Sequence, residues 1–389
     1  MVVIPCYNEL NLIDSLKSLF NCASTKENIE VITVINSSDN EDVKIINRNK
    51  NALDSALDWV GNHQRKNIHF SFIEATNLPK KEAGVGFARK IGMDESYNQF
   101  LEIGRKDGVI VCFDADATCS KNYLVEIENH FKKHTKTTGC SIYFEHPIEG
   151  NEYPQAIYEG IIQYELHLRY YKEALAFVGL PYAFHTVGSS MAVRASVYQK
   201  QGGMNKRKAG EDFYFLQKVI PLGNFSEINL TTVFPSPRIS ERVPFGTGRA
   251  MQQWINNKQK ELLTYNFTSF LDLKVFFDKS EQFFTEDDVE LPESIQLFLH
   301  EINFNENLIK IRANSTNKNH FKSLLFKWFN AFKTLKYLHF SRADFYENES
   351  ILIASNKLAT KIGVAPKNEA KSMLIAFRNI QQSRKMSHE

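Results

Sequence analysis

The chain has 389 residues, enough for two or three domains, with the 43% hydrophobic and 24% charged composition of an ordinary globular protein. Its 47 basic and 45 acidic side chains leave a formal charge of +2. That balance excludes a strong preference for polyanions and makes nucleic-acid binding the weakest of the functional readings. Five cysteines, odd in number and without a C-x-x-C spacing, give neither a disulfide framework nor a zinc knuckle. A reducing, cytoplasmic setting fits them, and neither a leader peptide nor a membrane-spanning stretch is expected.

In the first half, apolar runs alternate with amphipathic patterns, which predicts βα units and a mostly parallel sheet. The first strand is Val2–Pro5. A helix follows, with Leu12, Ile13, Leu16, Leu19 and Phe20 on one face. Glu30–Ile35 reads as a strand and Ala52–His63 as a helix. Ile68, Phe70 and Phe72 alternate as in a half-buried strand. Ala83–Gln99 is a helix with a glycine-rich start, and Val109–Phe113 is the next strand. A helix near Lys121–His134 and a strand near Ser141–Phe144 complete this half. Pro154–Leu175 predicts a long aromatic helix with proline at its start, where proline is tolerated. A strand near Ser190–Val193, a Gly202–Gly203 turn and a helix opened by Gly210-Glu211-Asp212 follow. Beyond about residue 250 glycine thins out, and Phe-rich, Lys-rich helical segments take over. Most of the 30 Phe and 15 Tyr read as core.

The chemistry concentrates at Asp114 and Asp116, which follow an apolar strand with one small residue between them. In α/β sheets ligands sit beyond the carboxyl ends of strands. Two bare carboxylates repel, and Mg²⁺ or Mn²⁺ shared with a substrate phosphate is the usual reason to hold them together. Solvated acids in an Asx turn are the equal alternative for this pair alone. In Lys81–Gly92 the glycines allow close backbone approach, and Arg89 supplies a fork suited to phosphate; an exposed helix charge is the competing reading. Glu211 and Asp212, taken alone, read first as a helix cap. Arg238 and Arg242, in the run Ser236–Gly248, are equally a lid over an anion or an ordinary surface loop. His185, Ser189 and Ser190 could line an acceptor side, although a structural role suits the lone histidine better. In the C-terminal third, Phe321, Leu324, Leu325, Trp328, Phe329, Phe332 and Leu335 mark one helical face, with Lys322, Lys327, Lys333 and Lys336 beside it. Packing on the catalytic domain, with a solvated basic rim, is favoured there over peripheral docking on an anionic membrane.

Taken in order, Val2–Glu9 (V-V-I-P-C-Y-N-E), Gly84–Gly92, Asp114–Asp116, Gly202–Gly203 and Glu211–Asp212 resemble the motifs of family 2 glycosyltransferases of the GT-A fold. The resemblance covers roughly the first 250 residues. It implies an α/β, Rossmann-like fold with a mostly parallel central sheet flanked by helices, residues 1–250 forming the catalytic domain and 251–389 a mainly α-helical extension. It also implies an inverting, metal-dependent transfer of a sugar from a nucleotide-sugar donor, a UDP-sugar above others, to a glycan or lipid-linked acceptor in surface glycan biosynthesis. By resemblance Pro5, Tyr7 and Glu9 lie near the base, Arg89 faces the diphosphate, and Asp116 holds Mn²⁺ or Mg²⁺. Asp114 contacts the ribose or reaches the metal through water, Asp212 is the base, and Glu211 positions base or acceptor. The chain departs from the pattern where the second strand ends, with Asn36 in place of a base-binding acid. It also has no histidine between Asp212 and His300 to serve as a late third ligand. A sugar-nucleotide pyrophosphorylase is a poor alternative, because no G-x-G-T-R-type loop follows the first strand. A nucleotide-sugar sensor or scaffold of the same fold is the competing non-enzyme reading.

Overall fold

The run Val-Val-Ile-Pro-Cys carries no polar residue on either face, as expected of a strand covered on both sides. In the computed structural model, which describes residues 1–240, 246–256 and 260–384, it is strand β1 (Val2–Cys6), buried throughout. The chain divides into two compact units. The first is Met1–Ile161, Thr186–Asn257 and Ile380–Glu389; the second is Ile162–His185 and Lys258–Asn379.

In the first unit, β1 leads through α1 (Leu12–Phe20) to β2 (Ile29–Ser38), then through α2 (Val43–Asn62) to β3 (Ile68–Leu78), and through α3 (Val85–Glu102) to β4 (Val109–Cys112). There follow β5 (Thr118–Cys119), α4 (Tyr123–Lys133), β6 (Gly139–Phe144), the start of α5 (Gln155–Phe177), β7 (Met191–Arg194), α6 (Ala195–Lys200), α7 (Glu211–Val219), β8 (Phe225–Phe234) and α8 (Thr247–Asn256). The eight strands lie in the order β3-β2-β1-β4-β7-β6-β8-β5. β3, β2, β1 and β4 run parallel, β7 is antiparallel to both β4 and β6, and β8 returns parallel to β6. The α/β, mostly parallel sheet expected from the alternating pattern is therefore present. α2 starts nine residues before the predicted Ala52: Asp42 caps it by accepting from the Lys44 amide at 2.7 Å. Val43 and Ile46, in the added turns, are exposed, so no apolar stripe announces that half.

α3 lies close on the sheet because its inner face is made of small residues: Gly86, Ala88, Gly92 and Ser96 are buried. A Cβ on Gly92 would overlap Val3 Cγ1 and lie 3.1 Å from Val34 Cγ2. This close approach sets the height of α3 above β1 and β2.

The second unit is helical and aromatic. It takes the rest of α5, then β9 (Leu263–Thr264), α9 (Phe267–Asp278), α10 (Glu293–Glu301), α11 (Phe304–Ala313), α12 (Lys318–Trp328), α13 (Ala331–Asp344), β10 (Glu349–Ser350), α14 (Ile351–Lys361) and most of α15 (Ala370–Ser383). Phe276 meets Phe329 at 4.9 Å between ring centroids, and Phe283 meets Phe304 edge-on at 5.1 Å. The stripe from Phe321 to Leu335 is two helices: Asn330 accepts from the Phe332 and Lys333 amides and starts α13 afresh. Phe321, Leu325 and Phe329 are buried, and Phe329 packs against Phe276 and Phe277 within this same unit. Among the described residues no helix is long and apolar enough to cross a membrane.

Gly92→Val is expected to lower the unfolding free energy by about 1–3 kcal/mol, the usual cost of overpacking. Urea denaturation followed by circular dichroism measures it; an unchanged midpoint would mean that α3 can rise off the sheet freely.

Candidate active site

β4 ends at Cys112, and the chain turns through Asp114, Ala115 and Asp116 at the carboxyl edge of the sheet. The Ala117 amide closes the turn on the Asp114 carbonyl at 3.1 Å. The turn is gripped from below by Ser15 of α1, whose hydroxyl lies 2.8 Å from the Ala115 carbonyl and 2.7 Å from that of Ala117. Ser15 is a polar residue inside the buried stripe Leu12, Leu16 and Leu19. Sequence reasoning passed over it, although a serine on an apolar face was the available signal.

Arg89 lies behind the acid pair. It is 2% exposed, and its Nη2 donates to Asp114 Oδ1 at 2.7 Å while its Nη1 donates to Glu211. The guanidinium expected to face a diphosphate is thus turned to two carboxylates and shielded from solvent. Gly188 makes room for it. A Cβ on Gly188 would lie 2.8 Å from Arg89 Nη1 and 3.0 Å from Asp212 Oδ2, and one on Gly86 would overlap the Arg207 carbonyl oxygen. Gly188 was not singled out from the sequence.

Glu211 and Asp212 open α7 behind Gly210, which takes the left-handed φ of 69° that glycine favours. The Phe213 amide donates to Asp212 Oδ1 at 2.7 Å, and the Gly188 amide also donates to this carboxylate. The cap position is held by Gly210 without a side-chain cap bond, and the two acids stand in the first turn, beside Arg89 and Asp114. Burial pushes Glu211 up to about 7 and Asp114 up to about 6, with Arg89 opposing the shift in both. Burial also raises Asp212, against Arg89 and the two amides. The carboxylates therefore hold protons more tightly than solvated acids do.

A second arginine sits over the outer acid. Arg238 Nε donates to Asp116 Oδ2 at 2.6 Å, and its Nη2 donates to Glu9 Oε2 at 2.5 Å. The other Glu9 oxygen accepts from the Leu10 and Asn11 amides at 2.9 and 3.1 Å. Glu9, 2% exposed, is therefore committed to the start of α1 and to Arg238 instead of opening toward a base. Burial raises its pKa, and Asp116 adds to the rise. Arg242, the other arginine of this run, lies outside the described residues.

Among the described residues no three His, Cys, Asp or Glu side chains gather to hold a cation by protein groups alone. Asp114 and Asp116 still suit Mg²⁺ or Mn²⁺. They are hard oxygen donors, each side chain is partly exposed (36% and 21%), and such ions commonly use one or two carboxylates plus substrate phosphates. Five carboxylates (Glu9, Asp114, Asp116, Glu211, Asp212) share two guanidiniums here, which leaves negative charge for a cation to offset.

At the neighbouring strand ends, Pro5 lies within β1, and Tyr7 just beyond it is half-buried, its hydroxyl bonded to Glu41 and pushed up to about 12 by burial. Asn36, near the end of β2, is 1% exposed, and neither atom of its side-chain amide has a hydrogen-bond partner. A buried amide left unpaired costs free energy until something binds it. Ser189 and Ser190 are buried with their hydroxyls 3.4 Å apart, and so do not line an acceptor side. His185 is half-buried.

The model of the family described as glycosyl transferase family 2 matches residues 1–202, just over half of the chain. No curated protein matches it. Among solved structures, Staphylococcus aureus TarS 1–349 with UDP-GlcNAc aligns over 98% of this chain and 90% of its own, at 14% identity and a TM-score of 0.39. The mannosyltransferase PcManGT from Pyrobaculum calidifontis, with GDP-Man and Mn²⁺, aligns over 98% and 85%, at 14% identity and a TM-score of 0.37. Likenesses at these scores carry no weight for the chemistry of this chain.

Arg89→Met is expected to cost about 3 kcal/mol of stability at pH 8, because it strands Glu211 and Asp114 without their counter-ion. Both acids bind protons more tightly folded than at their ordinary values of 4.5 and 3.8. Their penalty is thus absent below about pH 4 and grows as pH rises through 6 and 7. The deficit against wild type should shrink on moving from pH 8 to pH 5, as read by urea melts at both; a pH-independent deficit would contradict the ion-pair account.

Proposed function

The chain belongs to glycosyl transferase family 2 and is a glycosyltransferase; we propose that it moves a sugar from a nucleotide-sugar donor to an acceptor hydroxyl with inversion, using Mg²⁺ or Mn²⁺ at Asp116 and Asp114. The observation that carries this reading is Arg89, which ties Asp114 to Glu211 and so sets Asp212 beside the acid pair. When bound, the ion would offset the charge that builds on the departing nucleoside diphosphate. Asp212 Oδ2 takes the proton of the attacking hydroxyl, a task suited to a carboxylate whose proton affinity burial has raised. Glu211, bound to Arg89, positions Asp212 through the shared start of α7. Asp114 serves the ribose or a metal-bound water. Arg238 is the guanidinium placed to meet a diphosphate arriving over Asp116, and Arg89 acts from behind as a positioning residue.

For the base we propose Pro5, Tyr7 and Asn36. The unpaired amide of Asn36 offers a donor and an acceptor side by side. Both atoms are enclosed, the residue being 1% exposed, and it is the family resemblance that supports a UDP-sugar. Residues 1–250 would carry the reaction. Family habit supports a glycan or lipid-linked acceptor, surface glycan synthesis and a cytoplasmic setting. Membrane contact through the C-terminal region would fall to exposed cations such as Lys327 and Lys336, since Phe321, Leu325 and Phe329 of the apolar stripe are buried and the rest of it is half-buried.

A thermal-shift series with UDP- and GDP-sugars, with and without Mn²⁺, tests the binding half. Wild type should be stabilised by one donor in the presence of metal, and Asp116→Asn should lose that response. Asp212→Asn should keep it while nucleoside diphosphate release with acceptor falls about 10²–10⁴-fold, the range for losing a general base. Transfer by Asp212→Asn at the wild-type rate would sink the base assignment. Binding without turnover in wild type would favour the sensor reading.

A further inference from the structure

Two thiols lie together outside the machinery described above. Cys22, just past α1, and Cys119, on β5, have sulfurs 3.7 Å apart. Both are free thiols, Cys22 buried and Cys119 half-buried. The backbone on each side is fixed. The Ala23 amide bonds the Lys121 carbonyl at 2.6 Å, which ties the two cysteine segments to each other. Arg65 Nη1 clamps the end of α1 through the Phe20 and Cys22 carbonyls at 2.5 and 2.6 Å. On the other side, Cys119 is held in register with Val233 of β8. The thiols are neighbours because two well-anchored segments meet, and the sulfurs have to close from 3.7 Å to a bond of about 2 Å.

We propose that Cys22 and Cys119 are a redox modification site, oxidised by hydrogen peroxide to an intramolecular disulfide. Cys22 Sγ attacks one oxygen of the peroxide; an S–O bond forms, the O–O bond breaks, and the hydroxide leaves as water with the proton Cys22 gives up. Cys119 Sγ then attacks Cys22 Sγ; the S–S bond forms, the S–O bond breaks, and a second water leaves with the Cys119 proton. Two thiols lose two electrons and one peroxide becomes two waters. The hydrogen bond from Cys119 outweighs burial and, with the charge of Arg65, holds the Cys22 thiol below its ordinary range, which suits it to attack first. Cys6, Cys112 and Cys140 are buried with thiols pushed upward by burial, and serve as internal controls. The bond would staple α1 to β5, the strand that follows Asp114 and Asp116, on the helix whose Ser15 already grips their turn. The proposal does not depend on the glycosyltransferase mechanism.

The full folded chain is treated with hydrogen peroxide, alkylated, digested without reductant and analysed by mass spectrometry. The expected product is one cross-linked peptide pair joining Cys22 to Cys119, lighter by two hydrogen atoms and reversed by dithiothreitol. Cys119→Ser should lose the cross-link and trap Cys22 as a sulfenic acid that dimedone labels. Three results in wild type would overturn the proposal: five free thiols after a dose that oxidises the denatured chain, a cross-link through another cysteine, or oxidised cysteine without the cross-link. The wild-type measurement decides the matter even if the variant does not fold.

Discussion

A buried guanidinium between two carboxylates is the constraint around which the first unit is arranged. Taking Arg89 out of water costs several kcal/mol, and only close, well-oriented carboxylates return it. Its partners, Asp114 and Glu211, are 97 residues apart in sequence. Satisfying both requires the end of β4 and the start of α7 to converge on the first turns of α3. Breaking one partner would strand a charge, so the three segments hold or fail as one. Gly188 follows from this need, because a side chain there would strike Arg89 itself, while Gly86 lets the Arg207 backbone come close to α3.

The sheet supplies the frame for that convergence. β1 and β4 are parallel neighbours, and both deliver their carboxyl ends to the same edge. β7 joins β4 antiparallel, which brings the Gly188 amide to Asp212 just before β7 begins. Ser15 adds a grip from α1 on the turn between the two acids. The turn is thus held by the Ser15 hydroxyl and its own Ala117 amide, groups that bear no charge, leaving its two carboxylates to interact with cations.

Much of this was legible in the sequence, and the part that was not has a physical reason. The strands and most helices follow from apolar periodicity, and the site acids from a short polar interruption at a strand end. Arg89 was legible as a member of the site but not in its orientation. A guanidinium fits phosphate and carboxylate equally well, and burial, which selects between them here, is a property of the tertiary fold. Glu9 shows the same limit: a carboxylate after a strand reads as a ligand contact until the amides of Leu10 and Asn11 are seen to occupy it. The split of the C-terminal stripe at Asn330 turns on a cap, a local hydrogen bond that leaves the apolar spacing intact across the break.

Arg238 poses the reverse problem, a cation on carboxylates that the proposed reaction needs for something else. Its fork spans Asp116 and Glu9, and burial has already raised Glu9 toward protonation. Its side chain is only 25% exposed, so releasing Asp116 without a replacement would leave that carboxylate and the arginine Nε partly desolvated and without each other. A metal ion and a diphosphate arriving together avoid that cost: the ion takes up Asp116 while the phosphates take up the arginine. Either one alone meets resistance, since a lone cation would face the guanidinium and a lone diphosphate would face the carboxylates. On the proposed reading, coupling between donor and metal is therefore built into this one ion pair, and it arises from charge balance without any movement of the sheet.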